Sequence, residues 1–227
     1  VAGYRILKTT NGGAFWDTLT TNAQNGISSI SFSDSQTGIA VGYTGTIIKT
    51  TNGGTNWFSI SSGKINLLLS VFFADTLTGW TSGAYGTILK TTDKGTNWIS
   101  QTSGTISDLS SIHFTNSQTG WASGTGGVII NTTDGGISWN SQISGTSNNL
   151  FSIHFADSQT GWAVGNAGTV LKTINGGTSW IPQESSSTSS FRSVYFVDNQ
   201  TGWIVGSGGT IIKTTNGGTN WSPQISG

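Results

Sequence analysis

Apolar and polar residues alternate in bursts of four or five along this chain, and no apolar pattern keeps a helical period over ten residues. Typical bursts are Ser152–Phe155, Gly161–Gly165 and Thr210–Thr214, each bounded by Gly, Asn, Asp or Ser. Short alternating segments with such punctuation read as β-strands joined by tight turns, so the predicted fold is all-β. The pattern also repeats. A Thr-Gly-Trp step or its variant falls at Gly38-Ile39, Gly79-Trp80, Gly120-Trp121, Gly161-Trp162 and Gly202-Trp203, each 41 residues after the last. A second motif ends in Trp16, Trp57, Trp98, Trp139, Trp180 and Trp221 with the same spacing, and the two series account for all 10 tryptophans.

Each period reads as four strands. The first is of the Ser111–Phe114 and Ser152–Phe155 type, and it leads into a turn at Asp34, Asp75, Asn116, Asp157 or Asp198 whose side chain can take nearby backbone amides. The second is Gly161–Gly165 and its copies. The third is of the Thr46–Thr50 type, and an Asn-Gly-Gly turn then leads to a fourth strand carrying Trp57 or its equivalents. Four antiparallel strands in roughly 40–45 residues is the size of one β-propeller blade. A lone blade exposes two apolar faces, and stacking on its neighbours buries both. Strands three and four occur six times, but strands one and two only five times. The expectation is one propeller domain over 1–227 with six blades, the first incomplete: a half blade at 1–22, then repeats at 23–63, 64–104, 105–145, 146–186 and 187–227. Val1-Ala2-Gly3 reads as the end of a second strand with one residue deleted. A five-bladed ring with an extra hairpin, a longer ring, and a partner that donates the missing strands are the alternatives.

The turn Thr50-Thr51-Asn52-Gly53-Gly54-Thr55-Asn56-Trp57 resembles the Asp-box (BNR) motif, Ser/Thr-x-Asp-x-Gly-x-x-Trp. Asp93 and Asp134 keep the acid, while Asn11, Asn52, Asn175 and Asn216 replace it. The motif implies a turn in which the Asx side chain caps amides, Gly takes a positive φ and Trp packs beneath. The whole unit, best seen at Ser152–Gly165 followed by Gly168–Lys172 and the box, resembles the repeats of the Ycf48/HCF136-like group over essentially the entire chain. That group includes photosystem II assembly factors, and related repeats occur in secreted bacterial proteins. The resemblance implies the fold; no residue here specifies a photosystem partner.

Composition narrows the function. Charged residues make up 8% of the chain, and 9 Lys and Arg balance 9 Asp and Glu. A nucleic-acid binder would need clustered cations, so that class is set aside. Apolar runs reach about five residues, well short of the roughly 20 that span a bilayer as a helix. With 0 Cys, thiol catalysis and thiolate metal sites are excluded, and no cofactor is implied. Sialidases, which carry Asp boxes, use three arginines and a Tyr–Glu pair; this chain has only Arg5 and Arg192, and Glu184 is its single glutamate. Glycoside hydrolysis in general needs two carboxyl groups at a set separation. Most aspartates here fall at turn positions, and Asp17 and Asp108 lack an evident partner in the sequence. The chain is therefore read as non-catalytic.

His113 and His154 share one repeat phase with Ser31, Phe72 and Tyr195. They form either a metal pair or general base, or a variable packing position; the absence of a third ligand in that phase favours packing. Lys8, Lys49, Lys90, Lys172 and Lys213 share another phase, with Asn131 once. They form either a basic annulus or, as favoured, a set of solvating cations that discourage edge pairing. Departures from the repeat mark the candidate binding surface: Tyr43 and Tyr85 on the strand two–three turns, and Phe191, Arg192 and Tyr195 in the last blade. Asn131, Asn199 and Asn220 begin glycosylation sequons. The expected function is an extracytoplasmic bacterial scaffold, secreted or on the cell surface, for protein–protein interaction or surface assembly. Carbohydrate binding through Tyr43 and Tyr85 is the alternative, and a glycosidase resting on Glu184 or Asp108 is a third.

Overall fold

The Asn-Gly-Gly turns and alternating bursts fold as hairpins throughout the computed structural model, which describes residues 5–19, 21, 23 and 25–225. Val1-Ala2-Gly3 lies outside the described residues. The first sheet pairs β1 (Ile6–Lys8) with β2 (Asp17–Leu19). Four-stranded sheets follow: β3 (Ile27–Phe32), β4 (Gly38–Gly42), β5 (Ile47–Thr50) and β6 (Phe58–Ile60); then β7 (Leu68–Phe73), β8 (Gly79–Gly83), β9 (Ile88–Thr91) and β10 (Ile99–Gln101). These sheets belong to one compact unit, Val1–Gln101. The second unit, Thr102–Gly227, holds three more. They are β11 (Leu109–Phe114), β12 (Gly120–Gly124), β13 (Ile129–Thr132) and β14 (Asn140–Gln142); β15 (Leu150–Phe155), β16 (Gly161–Gly165), β17 (Val170–Thr173) and β18 (Ile181–Pro182); and β19 (Phe191–Phe196), β20 (Gly202–Gly206), β21 (Ile211–Thr214) and β22 (Ser222–Pro223). Every pairing is antiparallel between sequence neighbours. These are the blades of a β-propeller.

Strand limits differ from expectation in two ways. The first strands start two residues earlier, because a bulge lets Leu109 and Leu150 pair with Gly124 and Gly165 before regular pairing begins. The fourth strands start at Phe58 and its equivalents, so the box tryptophans belong to the turn and not to the strand.

The box turn is closed by its own side chains. In one copy Thr132 Oγ1 accepts Gly136 N at 2.8 Å and donates to Asp134 Oδ1 at 2.8 Å, while Asp134 Oδ1 accepts Ser138 N at 3.0 Å. The copy at Thr50 repeats this with Asn52 Oδ1, which accepts Asn56 N at 2.9 Å. Of the Asx side chain only Oδ1 is used in every copy, which is why Asn replaces Asp freely. Gly54 stands at φ 88, a left-handed conformation that favours glycine.

Blades are joined by aromatic stacking and by bonds onto the next box. In the second unit Trp121 lies flat on Phe155 (3.5 Å between centroids), and the edge of Phe155 meets Trp180 at 5.8 Å. Trp162, Phe196 and Trp221 repeat the arrangement at 3.4 and 5.9 Å. Gly161 serves this packing: a Cβ there would stand 2.6 Å from the Phe155 ring. Trp162 Nε1 donates to Gly217 O, and Trp121 Nε1 to Gly176 O. In the first unit Lys8 Nζ donates to Gly53 O (2.7 Å) and Lys49 Nζ to Thr96 Oγ1 (2.8 Å).

These contacts correct the reading of the lysines as solvating groups. Strand three is paired on both sides in every complete sheet, and Lys49 is only 7% exposed, with burial holding its amine below the usual range. Lys90, Lys172 and Lys213 lie 5.1 to 5.5 Å from the rings of Trp80, Trp162 and Trp203 directly across the ladder. Where Asn131 is too short, Gln142 crosses instead, donating to Gly176 O at 3.0 Å and accepting Trp180 Nε1 at 3.1 Å.

Replacing Thr132 with Val should cost about 1–3 kcal/mol in urea unfolding, because it strips a buried acceptor from two turn amides. The neighbouring exposed Thr133→Val should stay within about 0.5 kcal/mol. Gln142→Ala should destabilise by about 1–2 kcal/mol, since it leaves Trp180 Nε1 without its acceptor.

Candidate functional site

First strands of consecutive blades lie side by side within each unit, because a seryl hydroxyl on one accepts an amide of the next. Ser29 takes Val71 N in the first unit, and Ser111 and Ser152 take Ile153 N and Val194 N in the second, all at 3.2 Å. In the second unit this contact brings residues of one repeat phase into a row. The rings of His113 and His154 are 4.7 Å apart, and His154 meets the edge of Tyr195 at 5.0 Å. On the same two strands, β15 and β19, the Arg192 guanidinium sits 4.4 Å above the Phe151 ring. Arg192 is exposed and Tyr195 is 57% exposed, so β19 offers solvent both a cation and a phenol.

Burial, and then the neighbouring His154, pushes the His113 imidazole down to about 3; burial alone pushes His154 down to about 4. Both rings are neutral near pH 7, too weakly basic for proton abstraction there. Among the described residues no group of three or more His, Cys, Asp or Glu could hold a metal ion. The pair packs as part of an aromatic row.

Most of the carboxylates cap turns. Asp34, Asp75, Asp157 and Asp198 each take two turn amides at 2.6 to 2.8 Å, and Asn116 does the same at 2.8 and 2.9 Å. Hydrogen bonds from Ser138 hold Asp134 down at about 2. Glu184 is exposed on a cleft of about 460 Å³, whose other walls are Gln183, serines, threonines, glycines and apolar residues. Asp108 precedes β11, where its carbonyl takes Thr125 N at 2.9 Å.

Comparison with known proteins then places the chain. The family model for photosynthesis system II assembly factor YCF48 matches residues 8–100, 62–146 and 138–225. The chain belongs to that family. No curated protein matches it. Among solved structures it is similar to YCF48 bound to D1 peptide (23% identity, TM-score 0.71, covering 92% of this chain and 68% of that one). It is also similar to YCF48 from Cyanidioschyzon merolae (16%, TM-score 0.60, 88% and 86%). The Niastella koreensis GH74 enzyme matches at 16% identity and TM-score 0.68, and an ancestral GH74 enzyme at 16% and 0.72. The chain spans only 38% and 31% of those two enzymes. At such identities these likenesses describe the fold.

Within this YCF48-family chain the expected binding residues separate. Phe191 is 0% exposed, packed with Trp162, Val164 and Val194, so it is core and not surface. It occupies the phase of Leu109 and Leu150, a signal present in the repeat itself. Arg192 is brought to Phe151, a residue the repeat did not mark, and Tyr195 to His154. Phe151 shares the phase of Arg192, and only the neighbouring strand puts the cation over the ring. Tyr43 (48% exposed) and Tyr85 (74%) stand on 3-10 turns of the first unit, Tyr85 in the left-handed region at φ 55.

The histidine row makes stability pH-dependent. Both imidazoles titrate below their ordinary 6.5, so the unfolded chain takes up protons first as pH falls. This stability is present above about pH 6.5 and is lost progressively as pH falls to about 3. Urea midpoints should drop between pH 7.5 and 5, and the His113→Phe, His154→Phe double variant should flatten that drop. Phe72 already fills this phase in β7.

Proposed function

We propose that this chain is a non-catalytic, protein-binding module that serves as an assembly scaffold outside the cytoplasm. The observation that carries the reading is family membership over most of the chain, set beside a structure of similar fold that is YCF48 bound to D1 peptide. The surface that suits a peptide here is the first-strand row of the second unit. Arg192 offers a cation held by Phe151, and Tyr195 offers an exposed ring with a hydroxyl. Such groups bind an extended segment that presents an acidic side chain next to an apolar or aromatic one.

A non-catalytic role fits the use of the carboxylates, most of which cap turns. An extracytoplasmic setting fits a chain with 8% charge and abundant Ser, Thr, Asn and Gln. The partner is a protein segment of that chemistry, and no photosynthetic partner is assigned.

The test is the immobilised chain probed with peptide and glycan arrays. Acidic–aromatic peptides should bind, and Arg192→Ala or Tyr195→Ala should weaken them about tenfold, some 1.4 kcal/mol. Tyr85→Ala should leave them unchanged. Silent peptides together with glycan binding lost on Tyr85→Ala would make the chain a lectin instead.

A further inference from the structure

An asparagine followed by glycine is a reactive pair in a flexible chain, because glycine has no side chain to keep its nitrogen from the asparagine Cγ. Asn52-Gly53, Asn175-Gly176 and Asn216-Gly217 are such pairs, each in a box turn, and all three asparagines are exposed. Burial therefore does not keep water from them.

Hydrogen bonds hold both reacting groups instead. Gly53 N donates to Gln36 O at 2.9 Å, Gly176 N to Gln159 O at 2.9 Å and Gly217 N to Gln200 O at 2.7 Å. Each acceptor lies in the turn between the first two strands of the same sheet, and that turn is capped by Asp34, Asp157 or Asp198. The carboxamides are fastened too. Asn52 Oδ1 accepts the Thr50 hydroxyl at 3.0 Å and Asn56 N at 2.9 Å. Asn175 Oδ1 accepts the Thr173 hydroxyl at 2.9 Å and Ser179 N at 3.0 Å, while its Nδ2 donates to Ser179 Oγ. Asn216 Oδ1 accepts the Thr214 hydroxyl and Asn220 N, both at 2.9 Å. In each closed turn the glycine N–H is committed to a carbonyl, and the asparagine side chain is committed to other partners.

We propose that Asn52, Asn175 and Asn216 are latent deamidation sites, silent while the box turn is closed and reactive when a blade opens. In the open turn the glycine nitrogen loses its proton to a solvent base and forms a bond to Cγ. The bond from Cγ to Nδ2 breaks, and Nδ2 takes up protons and leaves as ammonia. Water then opens the cyclic imide at one carbonyl or the other, giving aspartate or isoaspartate. Aspartate fits the box, because Asp134 makes the same bonds through Oδ1. Isoaspartate routes the main chain through the former side chain, so no Oδ1 remains there to hold the amides. A blade that opens is thereby marked permanently. This chemistry belongs to the turns and does not depend on partner binding, so either reading can fail without the other.

The test holds the full chain in mildly alkaline buffer, folded or in concentrated urea, and maps its peptides by mass spectrometry. In urea all three sites should convert, and in the folded chain each should convert at least about tenfold more slowly. Thr50→Val loosens the first complete box from within, and Asp34→Ala loosens the turn that receives Gly53 N. In either folded variant Asn52 should convert at least about tenfold faster, while Asn175 in the same sample keeps its rate. Hydrogen exchange at the Gly53, Gly176 and Gly217 amides of the unaltered chain needs no variant, and conversion should follow the order of exchange. Asn52→Asp should leave Tm unchanged. Equal conversion in the folded and unfolded chains, or conversion that ignores the exchange order, would overturn the proposal.

Discussion

The carbonyl oxygen at the tip of a box turn is where one blade is fastened to the one before it. Gly53 O takes Lys8, Gly176 O takes Trp121 and Gln142, and Gly217 O takes Trp162. Hydrophobic burial drives blades together but has no direction. A buried hydrogen bond at the far end of a stacked indole supplies direction, fixing how far each sheet slides over its neighbour. Different donors reach the equivalent carbonyl in these three joints and Lys49 donates to Thr96 Oγ1 in a fourth, so the box turn is the constant element of the joint.

Much of the repeat follows from that joint. The turn must present its carbonyl in one orientation, so Thr Oγ1 and the Asx oxygen hold its amides and a left-handed glycine completes it. The indole above must lie flat, so the next blade offers a phenylalanine ring. That ring in turn lies across the glycine of its own Thr-Gly-Trp step. Trp203, in the last sheet, carries the same residue and the same lysine over its ring, yet it is only half-buried. Burial of these tryptophans belongs to the pair of blades, not to the single one.

With the joint fixed, the first strands are free to vary at positions that face away from it. Ser31, Phe72, His113, His154 and Tyr195 occupy one such phase, and Ser28, Leu69, Ser110, Phe151 and Arg192 another. In the second unit one phase forms an aromatic row and the other a stacked cation, both on first strands. A rigid periodic frame carrying aperiodic side chains can recognise a partner without any catalytic group.

The repeat was legible from residues alone because its signals are local. Asn-Gly-Gly fixes a turn, alternation fixes strands, and a period kept at every step fixes the blade; the Asp-box resemblance rests on the same residues. Whether a residue meets solvent or a neighbouring blade is not local, and there the tertiary structure decided. Lys49 reads as a surface cation and is buried against the next box; Phe191 reads as a departure and is core. Phe151 was unremarkable until Arg192 lay on it. In each case the deciding contact comes from a residue far along the chain, on another sheet. Sequence therefore determined the blade, and stacking decided which of its side chains remain available for function.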